Sequence, residues 1–278
     1  MGIKRILLGV TGTHFDDVCC SYAFSLASRY GAAVDVRLIR PMADDPAVLM
    51  ASGFTGSAFR HFIESIDHTV TELDRMARDV VAVHAARYPD VIYDYHNPAY
   101  NDLDSLASEG IASDLIVLAH PALIKLHYYR EAVEHAIVNS GRPVLLMTKS
   151  ATDALFRHVV FVWRNDAITA LSMMMCLPLL SMAESITLAT VVDDPHAESR
   201  MPDKGVAYFA QHGLHVSQVS LPREGKRDHQ VIDDYCDQVE ASLVVSGVVV
   251  HSDNREFFFS STASRMLASA RHPLLLIG

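Results

Sequence analysis

Three polar clusters interrupt the apolar runs in the second half of the chain, and each has residue types that could hold a ligand. Trp163-Arg164-Asn165-Asp166 sets a cation, an amide and a carboxylate side by side. Asp193-Asp194 is a pair of carboxylates. Gly247 opens a longer stretch that passes Val250, His251, Ser252, Arg255 and Glu256 and reaches Ser260 and Ser261 before an apolar-periodic run. A guanidinium near a glycine and paired hydroxyls suits anion recognition, because glycine admits a phosphate to the backbone and a helix N-terminus supplies N–H donors. Each feature also has a plainer role. Ser260 or Ser261 reads first as a helix N-cap, Arg255 with Glu256 as a surface pair, and Phe257–Phe259 as packing. Arg164 divides evenly between contacting an anionic ligand and bridging to Asp193 or Asp194. Trp163 ends a buried strand and reads as structural.

Other chemistries find less support. Among 15 histidines, His212 and His215 stand three apart with Gly213 between them, and Glu131 and His135 share a helical face. No site gathers three or four ligands at diagnostic spacing, so no metal is expected. No GxSxG elbow is present. Cys19, Cys20, Cys176 and Cys236 form no CxxC and read as reduced thiols. The charge balance, 23 Lys+Arg against 33 Asp+Glu for a net −10, argues against a general nucleic-acid binder. It argues equally against charge-driven binding to anionic membranes. No apolar stretch reaches the roughly 20 residues of a membrane span. MGIKRILLGV is too short and too early for a signal peptide, so a cytoplasmic protein is expected.

The elements that must position these clusters alternate in period. In the first half, Ile3–Val10, Ala33–Ile39, Val91–Tyr95, Asp114–Ala119 and Pro143–Met147 read as strands, separated by helices at Asp16–Tyr30, His61–Tyr88, Asp102–Gly110 and Tyr129–Asn139. In the second half, strands at Val159–Trp163, Ser185–Val192, His215–Leu221, Leu243–Ser246 and Pro273–Ile277 alternate with helices at Ala167–Met182, 203–212, Val231–Ala241 and Ser261–Ala270. Strands alternating with helices predict parallel sheets with right-handed crossovers.

The second half repeats the first. SDLIVLA at 113 matches ASLVVSG at 241, and NSGRPVLLM at 139 matches ASARHPLLLI at 268. The offset is about 154 residues at the first strands and about 130 at the last, so the first copy holds about 24 extra residues around 41–60. The reading is two domains, 1–149 with the insertion 41–60 and 156–278. The inserted segment is a partner-covering flap or an extra helical turn before it is an anion loop. The closing apolar strands predict pairing between the halves as an intrachain pseudo-dimer, or a homodimer, because such edges demand a partner.

The duplicated halves, the opening VTGT, the FVW that starts the second half and the late GRPVLL resemble a tandem universal stress protein of the UspA family, over nearly the whole chain. The resemblance implies two tandem Rossmann-like (adenine nucleotide alpha hydrolase-like) α/β domains, each a five-stranded parallel sheet flanked by helices. It implies a non-enzymatic stress-response protein that senses a ligand or binds a partner. The family's ATP motif is G-x2-G-x9-G-[ST] after the fourth strand. On this chain it falls on Gly247, Val250, Ser260 and Ser261, so the spacing is kept while two glycines are replaced. His251, Ser252, Arg255 and Glu256 resemble the HSxxRE run of such second halves. The family's adenosine-facing acid or amide falls on Arg164, and on Thr11 in the first half. The first half's counterpart loop, His120 to Lys125, holds no glycine. ATP or another adenine nucleotide is therefore expected to bind weakly or not at all. A small anionic ligand would sit in the second half, on Arg164, Gly247, Val250, His251, Arg255, Ser260 and Ser261.

Overall fold

The strands form where the apolar runs are too short for helices and rich in Val, Ile and Leu, as a doubly covered sheet requires. A computed structural model describes residues 2–40, 57–98, 104–124, 127–149, 156–193, 203–248, 250–253, 256–259 and 261–278, with the backbone alone for 57–67, 127, 250–253, 256–259, 261 and 263. In the first half, β1 (Arg5–Val10), β2 (Ala33–Leu38), β3 (Tyr93–His96), β4 (Leu115–Ala119) and β5 (Val144–Met147) are connected through α1 (Asp16–Tyr30), α2 (Ser57–Arg87), α3 (Ser105–Gly110) and α4 (His127–Asn139). In the second half, β6 (His158–Val162), β7 (Ser185–Val192), β8 (Val216–Pro222), β9 (Leu243–Gly247) and β12 (Leu274–Ile277) are connected through α5 (Ala167–Leu180), α6 (Asp203–Gln211), α7 (Asp228–Gln238) and α8 (Ser261–Ala268).

The two five-stranded sheets are one. Strand order runs β3-β2-β1-β4-β5-β12-β9-β6-β7-β8, parallel within each half and antiparallel at the β5–β12 seam. There Leu274 lies opposite Leu146, Leu275 opposite Leu145 and Leu276 opposite Val144, so the closing strands pair within the chain as their apolar runs predict. All four residues of each seam strand are buried. Two further contacts join the halves. The Tyr30 hydroxyl donates to the Pro178 carbonyl at 2.5 Å, and His120 Nε2 lies 3.1 Å from the Met266 carbonyl. Phe24, Tyr129, Phe161 and Phe209 are the largest fully buried side chains.

Two features differ from the sequence reading. Helix α2 begins at Ser57, so the end of the 41–60 segment is helical, while 41–56 lie outside the described residues. The stretch after Gly247, read as a loop, contains an antiparallel hairpin of β10 (Val250–Asp253) and β11 (Glu256–Phe259), separate from the main sheet. β11 ends in three phenylalanines, a β-prone run that glycine-motif spacing conceals.

Candidate functional site

Open parallel sheets bind ligands beyond the carboxyl ends of their strands, where strand order reverses. In the second half that point lies between β6 and β9. A cleft of about 510 Å³ sits there, and its lining includes Trp163, Arg164, Thr190, Arg223, Asp228 and Thr262. The volume is within the range of small-molecule sites.

Asp166 starts the local architecture. It is the N-cap of α5, in extended conformation, and its carboxylate accepts the Thr169 N–H at 2.8 Å. The same carboxylate binds Arg164, with Nε 3.0 Å from Oδ2. Burial opposes ionisation of Asp166, but Thr169 and the Arg164 guanidinium outweigh it and hold the carboxyl below its usual range. Thus held, Arg164 reaches across the switch point and donates through Nη2 to the Gly247 carbonyl at 3.1 Å. Its acidic partner among the described residues is Asp166 rather than Asp193, one of the two acids weighed from sequence. Asp194 lies outside the described residues, and Asp193 is taken by Arg223 at 2.5 Å. Arg223 also binds Asp228, with Nη2 2.7 Å from Oδ1. Sequence reading missed Arg223 and Asp228 because neither adjoins a motif; only the fold brings the short β8–α7 connection beside the ends of β6 and β7, where it lines the cleft.

The end of β9 adjoins the cleft, which Ser246 lines. The Gly247 carbonyl receives both Arg164 and the Ser246 hydroxyl, the latter at 3.1 Å. The next N–H, of Val248, donates to Ile277 in the β12 direction at 2.7 Å. The β10–β11 ladder then pairs Val250 with Phe259 and His251 with Phe258. Gly247 itself serves packing. A Cβ there would stand 3.0 Å from Ser172 Oγ and 3.1 Å from two Ile168 carbons, so glycine lets α5 approach β9. Ser261 is the first residue of α8, while Arg255 and Ser260 lie outside the described residues. Of the other sequence candidates, the backbones of Val250 and His251 lie in the hairpin.

One cleft-lining residue has a polar atom that is buried without a protein partner. Thr190 Oγ1 makes no hydrogen bond, and the residue is 5% exposed. Trp163 supports the same wall, with its ring against Gly205 of α6.

The corresponding end of β1 in the first half is arranged differently. There the Asp16 carboxylate, 1% exposed, accepts the N–H groups of Thr11 at 2.9 Å and Gly12 at 2.7 Å, and the Thr11 hydroxyl at 3.1 Å. Burial wins over these bonds and pushes its pKa up to about 6. Gly12 has φ +72°, and a Cβ on it would lie 2.5 Å from the Leu73 carbonyl oxygen of α2. An internal carboxylate and helix α2 thus pack against the turn after β1. His84 of α2 binds Asp17 of α1 at 2.8 Å and helps to hold that helix in place. The cysteines Cys19 and Cys20 beside this site are fully buried, and burial raises both thiols.

Among the described residues no group of His, Cys, Asp and Glu could hold a metal ion, and no helix is long and apolar enough to cross a membrane. No family model matches the chain, and no curated protein matches it. Solved structures do. A universal stress protein from Archaeoglobus fulgidus DSM 4304 is 10% identical, with a TM-score of 0.69 over 98% of this chain and 97% of that one. A functionally unknown protein from Pseudomonas aeruginosa PAO1 is 13% identical, with a TM-score of 0.61 over 99% of this chain and 92% of its own. A protein from Pseudomonas aeruginosa UCBPP-PA14, provisionally described as a universal stress protein, is 13% identical with a TM-score of 0.59 over 99% and 93%. At these identities the likeness establishes a shared fold: a large, mostly parallel sheet flanked by helices.

Proposed function

We propose that this chain is a cytoplasmic, non-enzymatic stress-response protein of the universal stress type, made of two tandem domains, 1–149 and 156–278. The second domain senses a small ligand, and the first is its structural partner. One observation carries this reading: the switch-point cleft of about 510 Å³ in the second half, against the first half, where Asp16 and Leu73 pack against the turn after β1. The β5–β12 seam supports the pseudo-dimer, because each half covers the other's last strand.

ATP fits this cleft poorly. A triphosphate needs N–H donors and unpaired cations. Val248 and the β10–β11 ladder engage backbone groups in strand pairing, which leaves the start of α8 as the remaining backbone donor, and both guanidiniums are held by carboxylates. Hydrolysis is disfavoured because Arg223 grips Asp228, a carboxylate on the cleft wall, together with Asp193. The test is thermal melting and phosphate release of the full-length protein with ATP. The reading expects a melting shift under about 2 °C and background release, since weak ligands stabilise little by mass action. A large shift, or turnover above background, would count against it.

A further inference from the structure

We infer that the first half holds a ligand site of its own, on a face of the sheet rather than at a switch point, and that it takes a small zwitterion such as a free amino acid. Asp94 receives the ammonium group and His96 the carboxylate. The inference stands apart from the second-half cleft and adds a ligand to the half that is its structural partner.

The site begins with an exception in the sheet. β4, β5, β9 and β12 are buried along their whole length and hold mainly apolar residues. On β2, Asp35 and Arg37 alternate with apolar residues, and on β3 Asp94 and His96 alternate with tyrosines. Such alternation puts each pair on one face of its strand. Register then sets Asp35 opposite Asp94 and Arg37 opposite His96. With Arg5 of β1 and Glu109 of α3 these four line a cavity of about 340 Å³, beside a helix of only six residues. That volume is at the small end of ligand sites and suits a molecule of amino-acid size.

The charges in the cavity pair off and leave a remainder. Arg37 is 4% exposed and is paired with Glu109, as a guanidinium so deeply buried requires. Arg5 is paired with Asp35. Asp94 and His96 are left over, and among the described residues neither makes a hydrogen bond or an ion pair. They stand two residues apart on one strand, a rise of about 6.6 Å, and do not bond each other. Asp94 is a carboxylate beside a second carboxylate, Asp35, and like charges side by side on neighbouring strands are unfavourable. An ammonium group between them removes that cost. His96 is an imidazole, whose ring N–H suits a carboxylate. A simple cation or anion answers one of the two groups, whereas a zwitterion answers both. A metal ion does not fit, because among the described residues no group of His, Cys, Asp and Glu could hold one.

The full-length protein is screened by thermal melting against the common amino acids, and the strongest stabiliser is titrated by calorimetry. Its N-acetyl form, which lacks the ammonium, and its methyl ester, which lacks the carboxylate, are titrated beside it. The expected result is saturable binding of one molecule per chain, at least tenfold weaker for each blocked form. Asp94→Asn and His96→Ala should each weaken binding about tenfold, the loss of one charge-assisted bond. Both positions are exposed on an edge strand, and circular dichroism of each variant keeps a folding defect apart from a binding defect. No binding of any common amino acid overturns the inference. A blocked form that binds as tightly as the free amino acid overturns the zwitterion class. Binding that survives either substitution overturns the site. None of these outcomes bears on the cleft beside Arg164.

Discussion

The Arg164 guanidinium donates to the Gly247 carbonyl at 3.1 Å, tying the end of β6 to the end of β9 across the point where strand order reverses. The residue that could have met an anion therefore closes a polar contact inside the protein. Its charge is answered by Asp166, and that acid caps α5. One short segment thus sets helix, cation and cleft together.

Arg164→Ala should cost little. The pair is about a third exposed on each side, at 34% and 35%, and such pairs contribute on the order of 0–1 kcal/mol. The melting temperature should fall by no more than about 4 °C. ATP should still fail to stabilise the variant, because Arg223 stays held by Asp193 and Asp228. Differential scanning fluorimetry with and without ATP checks both statements, and a strong ATP response would assign the discrimination to the guanidinium alone.

Two glycines should differ in sensitivity. Gly247→Ala meets Ser172 and Ile168 at 3.0–3.1 Å, which small movements relieve at about 1–2 kcal/mol. Gly12→Ala meets backbone of Leu73 and must adopt φ +72°, so its cost should exceed about 3 kcal/mol. Urea midpoints of the two variants, compared with wild type, decide the order.

The fold was legible where apolar runs stand between turns, and the site was legible only in part. Repeated segments such as SDLIVLA and ASLVVSG place β4 and β9 in corresponding positions, and both are strands. Trp163, Arg164 and Asn165 of the polar cluster line one wall of the cleft. Arg223, Asp228 and Thr190 were hidden because each is an ordinary residue where it stands, and only the fold places all three along one cleft. The β10–β11 hairpin was hidden for another reason: antiparallel pairing depends on register between two short runs, which motif spacing does not reveal.

The seam should be indispensable. Truncation after Arg271 removes β12 and leaves β5 and β9 without a common neighbour, exposing the edges of two apolar strands. Size-exclusion chromatography should show aggregation or association; a soluble, monodisperse monomer would refute the structural role given to the seam.

Acid titration should separate two buried groups. His120 is buried, and burial lowers its pKa from 6.5 to about 4, the Met266 carbonyl notwithstanding. The unfolded chain binds that proton first, so this contribution is complete above about pH 6.5 and is lost as pH falls toward 4. Asp16 has the opposite sign. Its folded pKa of about 6 stands above the unfolded 3.8, so stability from this group declines as pH rises through that interval. Each effect reaches about 3 kcal/mol at most. Between pH 7 and 4.5, His120→Gln should lose less stability than wild type and Asp16→Asn more, as read from denaturant midpoints.

The central claim is that the halves differ in function, with the cleft beside Arg164 and Thr190 open to a ligand and the crevice beside Asp16 closed. Native mass spectrometry of the full-length protein with saturating adenosine, which lacks the phosphates that the carboxylate-held guanidiniums disfavour, measures this directly. One adenosine per chain, lost in Ile232→Trp, where the larger side chain fills the cleft, is the predicted result. Two per chain, none, or one that persists in Ile232→Trp would contradict it.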